Sequence, residues 1–250
     1  MAESGIPRGA VALVTGAGAG LGRATAIRLA ERGCAVICAG RRIEPIEALA
    51  RQIGGGALAL RLDVTQARDW ASLADRLPET HRRIDILINN AGHDVGGRRR
   101  FDEGRIEDFA RTAETNVIGL MRAAHAVLPQ MVARGRGDIV NLGSVAALRP
   151  YPMTNVYAAT NAFVHSFSEG LRYDYRETDI RVIEVMPGIT RTEFAAARFG
   201  GDKANGDAYY GRFPGIMEPD DIARAIVYAL DQPRSVTVAQ MLVVPTREAV

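Results

Sequence analysis

Ala10-Val-Ala-Leu-Val-Thr15-Gly-Ala-Gly-Ala-Gly-Leu-Gly22 begins the regular structure of this chain, and its reading decides the fold. An apolar, β-branched run passes without a linker into a turn in which every second residue from Gly16 to Gly22 is glycine. An amphipathic helical pattern over 21–32 follows. Glycine lets the backbone turn tightly and approach a pyrophosphate, whose charge then meets the N-terminus of the following helix. A glycine-rich turn alone also marks ordinary loops. A strand before it and a helix after it make it a dinucleotide-binding turn.

Outward from that turn, short β-branched runs alternate with helical stretches along the whole chain. Strands are expected over 10–15, 35–39, 57–62, 84–88, 138–142, 181–185 and 237–244. Helices are expected over 21–32, 45–52, 67–77, 106–134, 156–177 and 219–230. Several strand runs are apolar almost throughout, as in parallel strands covered on both faces. The alternation implies right-handed crossovers and hence an α/β fold, a Rossmann-type doubly wound parallel sheet of seven strands. One domain over 1–250 suffices, since no repeat, low-complexity tract or long linker divides the chain. The least regular stretch, 190–215, is too long for an ordinary connection and is a candidate substrate lid.

Composition narrows the partners. A hydrophobic content of 47% supports a large core, and a net charge of +2 gives no general attraction to nucleic acid. The basic triplet Arg98-Arg99-Arg100 reads better as a solvated loop than as an anion or nucleic-acid site. No apolar run reaches the roughly 18 residues a membrane span needs, and the first residues lack a signal peptide's basic-then-apolar order. Cys34 and Cys38 are the only cysteines and have no metal-ligand neighbours in sequence. Two buried thiols in a reducing cytoplasm, and no metal, are expected.

The second strand bears on the nucleotide. A carboxylate at its end would hold a ribose 2′-hydroxyl and repel a 2′-phosphate. Here it exits as Ala39-Gly40-Arg41-Arg42, and guanidinium pairs suit a phosphate. NADP(H) is therefore expected, with Arg41 and Arg42 at the 2′-phosphate. The alternative is that both are solvent-facing residues at a helix start.

The spacing Thr15-Gly16-x-x-x-Gly20-x-Gly22, the segment Leu62-Asp63-Val64, the complete Asn89-Asn90-Ala91-Gly92 and the run Tyr157-Ala-Ala-Thr-Asn161 together resemble the short-chain dehydrogenase/reductase family. The resemblance implies that Gly16, Gly20, Leu21 and Gly22 line the diphosphate and ribose. It places Asp63 and Val64 at the adenine, and Asn90, Pro187, Gly188, Thr190 and Thr192 along the cofactor.

Carbonyl reduction needs a hydride donor, a proton donor for the forming alkoxide and a polar group at the carbonyl oxygen. By the resemblance, Ser144 orients that oxygen and Tyr157 passes the proton. Asn116, inside the long predicted helix, distorts it to hold a water relay. The family's remaining catalytic group is a Lys that holds the nicotinamide ribose and lowers the Tyr pKa through its charge. Asn161 stands in its place, able to hydrogen-bond ribose hydroxyls but uncharged. An unperturbed Tyr is only about 0.1% phenolate at pH 7, and bringing its pKa to about 7 amounts to roughly 4 kcal/mol. His165 shares a helix face with Tyr157 and Asn161 but lies about 12 Å further along the axis, so a surface or interface place is expected. His93 should border the nicotinamide, as an acid–base or substrate residue or as plain pocket wall. Arg191 reads better as meeting solvent or cofactor phosphate than as a field at Tyr157.

Within the family the chain resembles the NADP-dependent 3-hydroxy-acid (serine-type) dehydrogenases and sulfoacetaldehyde reductases. Pro150-Tyr151, Asn155-Val156-Tyr157-Ala158-Ala159-Thr160, Thr192-Glu193-Phe194 and Arg198-Phe199-Gly200-Gly201-Asp202 carry that likeness. It implies an oxidoreductase for a small polar, anionic carbonyl compound and its alcohol, with Arg198 at the carboxylate or sulfonate and Tyr151 beside it. A solvated lid residue or a structural salt bridge is the other reading of Arg198. The likeness also implies a homotetramer or dimer built through the long helices, with no nucleic-acid or membrane partner. The chain departs from the subgroup at the Lys and by one residue fewer between Pro187 and Thr192. Asn161 leaves two alternatives open: a weak or silent NADP(H)-binding sensor or assembly subunit, and a Tyr-dependent isomerase or dehydratase. Retention of both Ser144 and Tyr157 favours an enzyme, since binding alone needs neither.

Overall fold

Alternate side chains of a strand leave on opposite faces, so an apolar run without polar gaps has to be covered twice. The computed structural model, which describes residues 5–247, shows both covers. The strands are β1 Val11–Thr15, β2 Ala35–Gly40, β3 Leu58–Arg61, β4 Ile86–Asn89, β5 Arg136–Leu142, β6 Asp179–Pro187 and β7 Gln240–Val243. They form one sheet in the order β3-β2-β1-β4-β5-β6-β7, with every pairing parallel. The helices are α1 Gly20–Glu31, α2 Ile43–Ile53, α3 Ala67–Ala71, α4 Leu73–Arg76, α5 Glu79–Arg82, α6 Ile106–Ala113, α7 Leu120–Ala133, α8 Asn155–Asp174, α9 Phe194–Arg198, α10 Lys203–Tyr210 and α11 Pro219–Leu230. Ala12 and Val14 of β1 pack with Leu29 of α1, Ile46 of α2 and Ile226 of α11. Val11 and Leu13 point the other way, into a cluster with Trp70 of α3, Val127 of α7 and Leu171 of α8. Cys34 and Cys38 are free and buried in the first cluster, where burial pushes their thiols up to about 11 and about 12.

The strand order reverses at β1, whose neighbours are β2 and β4, and this opens a crevice at the carboxyl ends of the strands. Two expectations change, over 67–77 and 190–215, and the distortion expected within 106–134 takes a definite form. The 67–77 helix breaks at Ser72 into α3 and α4, and α5 follows it. The 106–134 helix is interrupted by a π-helical segment, Glu114–Gly119. The stretch 190–215 is not irregular: α9 and α10 lie in it and share an apolar cluster of Ala195, Tyr209 and Tyr210 with Ile189, Phe199, Phe213 and Ile216. Too few apolar residues recur in each short helix for periodicity to reveal it. Among the described residues no helix is long and apolar enough to cross a membrane, and no His, Cys, Asp and Glu cluster could hold a metal ion.

Candidate active site

The crevice holds a cavity of about 1090 Å³, at the upper limit of the roughly 300–1,000 Å³ usual for small-molecule sites. Its first wall is the glycine turn. Gly16 has φ +65°, and a Cβ there would lie 2.9 Å from Asn90 Nδ2. Gly22 does not line the cavity, a correction to the sequence expectation. A Cβ on it would collide with Asn90 Nδ2 and the Gly16 carbonyl, so its bareness lets α1 sit against the turn. Thr15 ties the turn to β4: its hydroxyl donates to the Ile88 carbonyl at 3.1 Å and accepts from the amides of Asn90 (3.0 Å) and Ala91 (3.1 Å). The Asn90 side chain donates back to the carbonyls of Thr15 (2.9 Å) and Gly16 (3.2 Å). Sequence reasoning gave Thr15 no role. Its signal was a hydroxyl at the strand exit, level with the Asn-Asn pair. Gly16, Gly18 and Gly20 line the cavity and leave the backbone of the turn bare there, which fits a diphosphate.

At the nucleotide end, Arg41 and Arg42 line the cavity, as do Leu21, Asp63 and Val64. Asp63 Oδ1 accepts from Thr65 N (3.0 Å) and Oγ1 (2.9 Å), which orients the carboxylate. Arg42 is not free of carboxylates as the sequence implied: Glu193, just before α9, accepts from it at 2.9 Å. Both side chains are more than 60% exposed, so the pair contributes about 0–1 kcal/mol. A charge-assisted phosphate contact contributes about 1.5–3 kcal/mol and would displace it. Gly20, Pro187, Gly188, Thr190 and Thr192 line the cavity. Tyr210 pins Thr192, its hydroxyl accepting from the Thr192 amide and donating to its carbonyl, both at 3.0 Å. Arg191 faces Glu218 at 3.4 Å and is outside the lining.

At the other end Ser144, Tyr157, Asn161 and Asn116 converge on the same cavity. The π-helical segment turns Asn116 inward. Its Oδ1 accepts from His93 N (3.0 Å), and its Nδ2 donates to His93 O (2.9 Å) and Thr160 Oγ1 (3.2 Å). The expected distortion is present, and the side chain clamps the loop after β4. Tyr157 stands in the first turn of α8, tilted against Phe194 with ring centroids 5.6 Å apart. Its carbonyl accepts from Thr160 Oγ1 and Asn161 Nδ2, each at 2.8 Å. Asn161 is 6% exposed, and its amide gives one hydrogen bond to that carbonyl. Burial raises the Tyr157 pKa; Ser144, Arg198 and Asn161 pull it down, and Asp94 pushes it up. The phenol is thus neutral at pH 7. A buried chain from Asn89 through Asn141 to Ser168, each step 2.9 Å, fastens α8 to β4 and β5; its members are too far apart along the chain for any local pattern to mark them.

The charged groups differ most from expectation. Arg198 lines the cavity but is 5% exposed and donates its Nε to Asp94 Oδ2 at 2.8 Å. The structural salt bridge, not a free cation, is what forms. Burial pushes the Asp94 pKa up against the pull of Arg198 and Arg98. Arg198 also lies over the Tyr157 ring at 6.0 Å and over Phe194 at 5.3 Å. The basic triplet divides. Arg99 and Arg100 are exposed, but Arg98 turns into the cavity, between Tyr151 and Tyr209, and corrects the solvated-loop expectation. His93 lines the cavity with Nε2 2.9 Å from Thr115 Oγ1. Burial, with Arg41 and Arg111 nearby, lowers its pKa to about 4, so it is a neutral wall residue near pH 7. His165 is neither a surface nor an interface residue alone: its Nδ1 is 2.8 Å from Oε2 of the fully buried Glu184.

A doubly wound parallel sheet with a glycine turn at its switch point and a Ser–Tyr pair at the far end of the crevice defines a nucleotide-dependent dehydrogenase. Residues 10–202 match the family described as short chain dehydrogenase, and the chain belongs to it. Among curated relatives, sulfoacetaldehyde reductase 2 of Chromohalobacter salexigens is 40% identical over 242 residues, covering 96% of this chain and 95% of that protein. The NADP-dependent 3-hydroxy acid dehydrogenase of Schizosaccharomyces pombe is 36% identical, covering 96% and 94%. Among solved structures, the closed form of serine dehydrogenase complexed with NADP+ superposes with a TM-score of 0.93 at 35% identity, covering 96% of each chain.

Proposed function

We propose that the chain is an NADP(H)-dependent oxidoreductase that interconverts a small anionic carbonyl compound and its alcohol, with Tyr157 as acid and base. One observation carries the proposal: Ser144 and a half-buried, neutral Tyr157 share the end of the nucleotide cavity with the guanidiniums of Arg98 and Arg198, the latter paired with the Asp94 carboxylate behind it. Arg41 and Arg42 would hold the 2′-phosphate, the glycine turn the diphosphate, Asp63 and Val64 the adenine, and Asn161, Thr190 and Thr192 the nicotinamide end. When bound, NADPH supplies the hydride. Ser144 holds the carbonyl oxygen, and the Tyr157 phenol, desolvated and protonated, donates to it as negative charge develops. In the alcohol-forming direction the phenol is already in the required state. In the reverse direction it must first lose its proton, which burial opposes.

Residues 190–215 act as the lid in this proposal, with α9 bringing Phe194 and Arg198 over Tyr157. A homotetramer assembled through the long helices is supported by a mainly apolar recess between the π segment and α8, lined by Ala113, Val117, Val156 and Ala159 with Asn155 and Thr160. A cytoplasmic location accords with two buried free thiols. The test is a panel of short oxo-acids, semialdehydes and sulfoaldehydes, assayed with NADPH and NADH. NADPH-dependent turnover of an anionic member, abolished in Tyr157→Phe, is expected. Tight NADPH binding with no turnover across the panel would reject an enzyme.

A further inference from the structure

We infer that Arg98, not Arg198, receives the anionic group of the substrate; this rests on the anionic-carbonyl reading above. Three observations converge on it. First, placement: Arg98 leaves the loop after β4 and lines the same cavity as Ser144 and Tyr157. Its guanidinium is 5.0 Å from the Tyr209 ring and 5.9 Å from the Tyr151 ring, and Nη2 donates to the Tyr209 hydroxyl at 2.7 Å. The group is therefore held in position before any ligand arrives. Second, an open donor: Arg98 Nε is buried and has no hydrogen-bond partner among the described residues. A buried N–H without an acceptor is costly, and native structures rarely leave one except where a ligand or water completes it. Nε and Nη2 share one edge of the guanidinium, the edge that pairs with two oxygens of a carboxylate or sulfonate; Nη2 spends one N–H on Tyr209 and has a second for the anion.

Third, charge. Asp94 engages Arg198 at 2.8 Å, and among the described residues no carboxylate lies within salt-bridge reach of Arg98. Two cations against one carboxylate leave a net positive charge at the reacting end. Arg98 is half-buried, so its attraction for an anion is screened less than that of an exposed arginine. Asp94 thus confines Arg198 to a structural role and leaves Arg98 to select the substrate. Tyr151, 36% exposed at the rim, then sits beside the incoming group.

The experiment compares succinic semialdehyde with its neutral counterpart methyl 4-oxobutanoate, and sulfoacetaldehyde as the sulfonate arm, on the full chain with NADPH. In the wild type the anions are expected to be preferred. Arg98→Gln should lower the anion-to-neutral ratio of kcat/KM about 10- to 100-fold, mainly through KM, as loss of a charge-assisted contact does. Arg98→Lys should lose less, keeping the charge but not the paired edge. A second readout is calorimetric titration of acetate and methanesulfonate onto the NADP+-loaded protein, with binding expected in the wild type and not in Arg98→Gln. Which of the two anions binds more tightly identifies carboxylate or sulfonate as the natural group. A wild type that treats anionic and neutral carbonyls alike would remove the anionic reading itself. A wild-type preference that survives Arg98→Gln would leave that reading standing and reject Arg98, as would equal losses on both substrates.

Discussion

Replacing Asn161 with Lys tests the account of Tyr157 most directly. The present surroundings hold the phenol protonated: burial is the largest influence, and Asp94 adds to it. The nearest cation, Arg198, lies 6.0 Å from the Tyr157 ring but is paired with Asp94 at 2.8 Å, so little net charge reaches the phenol. Asn161 is one helical turn beyond Tyr157; its amide donates to the Tyr157 carbonyl, and its pull on the phenol is that of an uncharged hydrogen bond. An ammonium about 5 Å from the phenolate, at an effective dielectric near 20, contributes about 3 kcal/mol, or roughly two pKa units. The position is 6% exposed, so desolvation of the new charge offsets part of that and leaves about one to two units. A cation favours the charged form, hence the Tyr157 pKa falls. The assay is the pH profile of kcat/KM for NADP+-dependent alcohol oxidation, whose inflection should move down by about one to two units. Below both inflections the rate should rise about 10- to 100-fold. The overall equilibrium constant fixes the ratio of the two directions, so carbonyl reduction must gain by the same factor at the same pH. An inflection that stays in place while NADPH still binds would refute the reasoning.

Asp94→Asn should strand the buried Arg198 cation, cost about 3–5 kcal/mol of stability by thermal denaturation, and shift the Tyr157 inflection to lower pH, since Asp94 raises it. Unchanged stability would mean that the pair is not the anchor of α9. At the nucleotide end, Arg42→Ala should weaken NADPH relative to NADH by about 10- to 100-fold in a binding titration. Glu193→Gln should tighten NADPH up to about fivefold, because the exposed pair it breaks contributes at most about 1 kcal/mol. An NADPH-to-NADH ratio insensitive to both changes would take the 2′-phosphate away from this corner.

What was legible in the sequence was what neighbouring residues decide. The strands could be read because runs such as β1 and β4 are apolar up to their last residue, and the turn because glycines follow directly on a strand. The nucleotide corner was half legible: Arg41 and Arg42 adjoin a strand end, but Glu193 reaches Arg42 across 151 positions. Asp94 and Arg198 are 104 apart, so no local pattern could reveal that the candidate anion holder was already neutralised. Arg98 was hidden by company, since two exposed arginines beside it make the triplet look solvated. Only the aromatic rings of Tyr151 and Tyr209, brought from β5–α8 and α10, distinguish its side chain from theirs.

Those long-range pairings change the meaning of Asn161. The missing Lys removes a cation from one side of Tyr157, while Asp94 neutralises the cation on the other. Both act in the same direction, towards a protonated phenol, so Asn161 belongs to an arrangement and is not an isolated loss. Such an arrangement cannot favour reduction alone, because the reaction's equilibrium binds the two directions together. It can set the pH at which Tyr157 exchanges its proton. With burial holding that pKa above its ordinary 10, the rate of alcohol oxidation should keep climbing into the alkaline range, beyond where a Lys-assisted phenol would have levelled off, while carbonyl reduction, which consumes a proton, stays level until Tyr157 deprotonates.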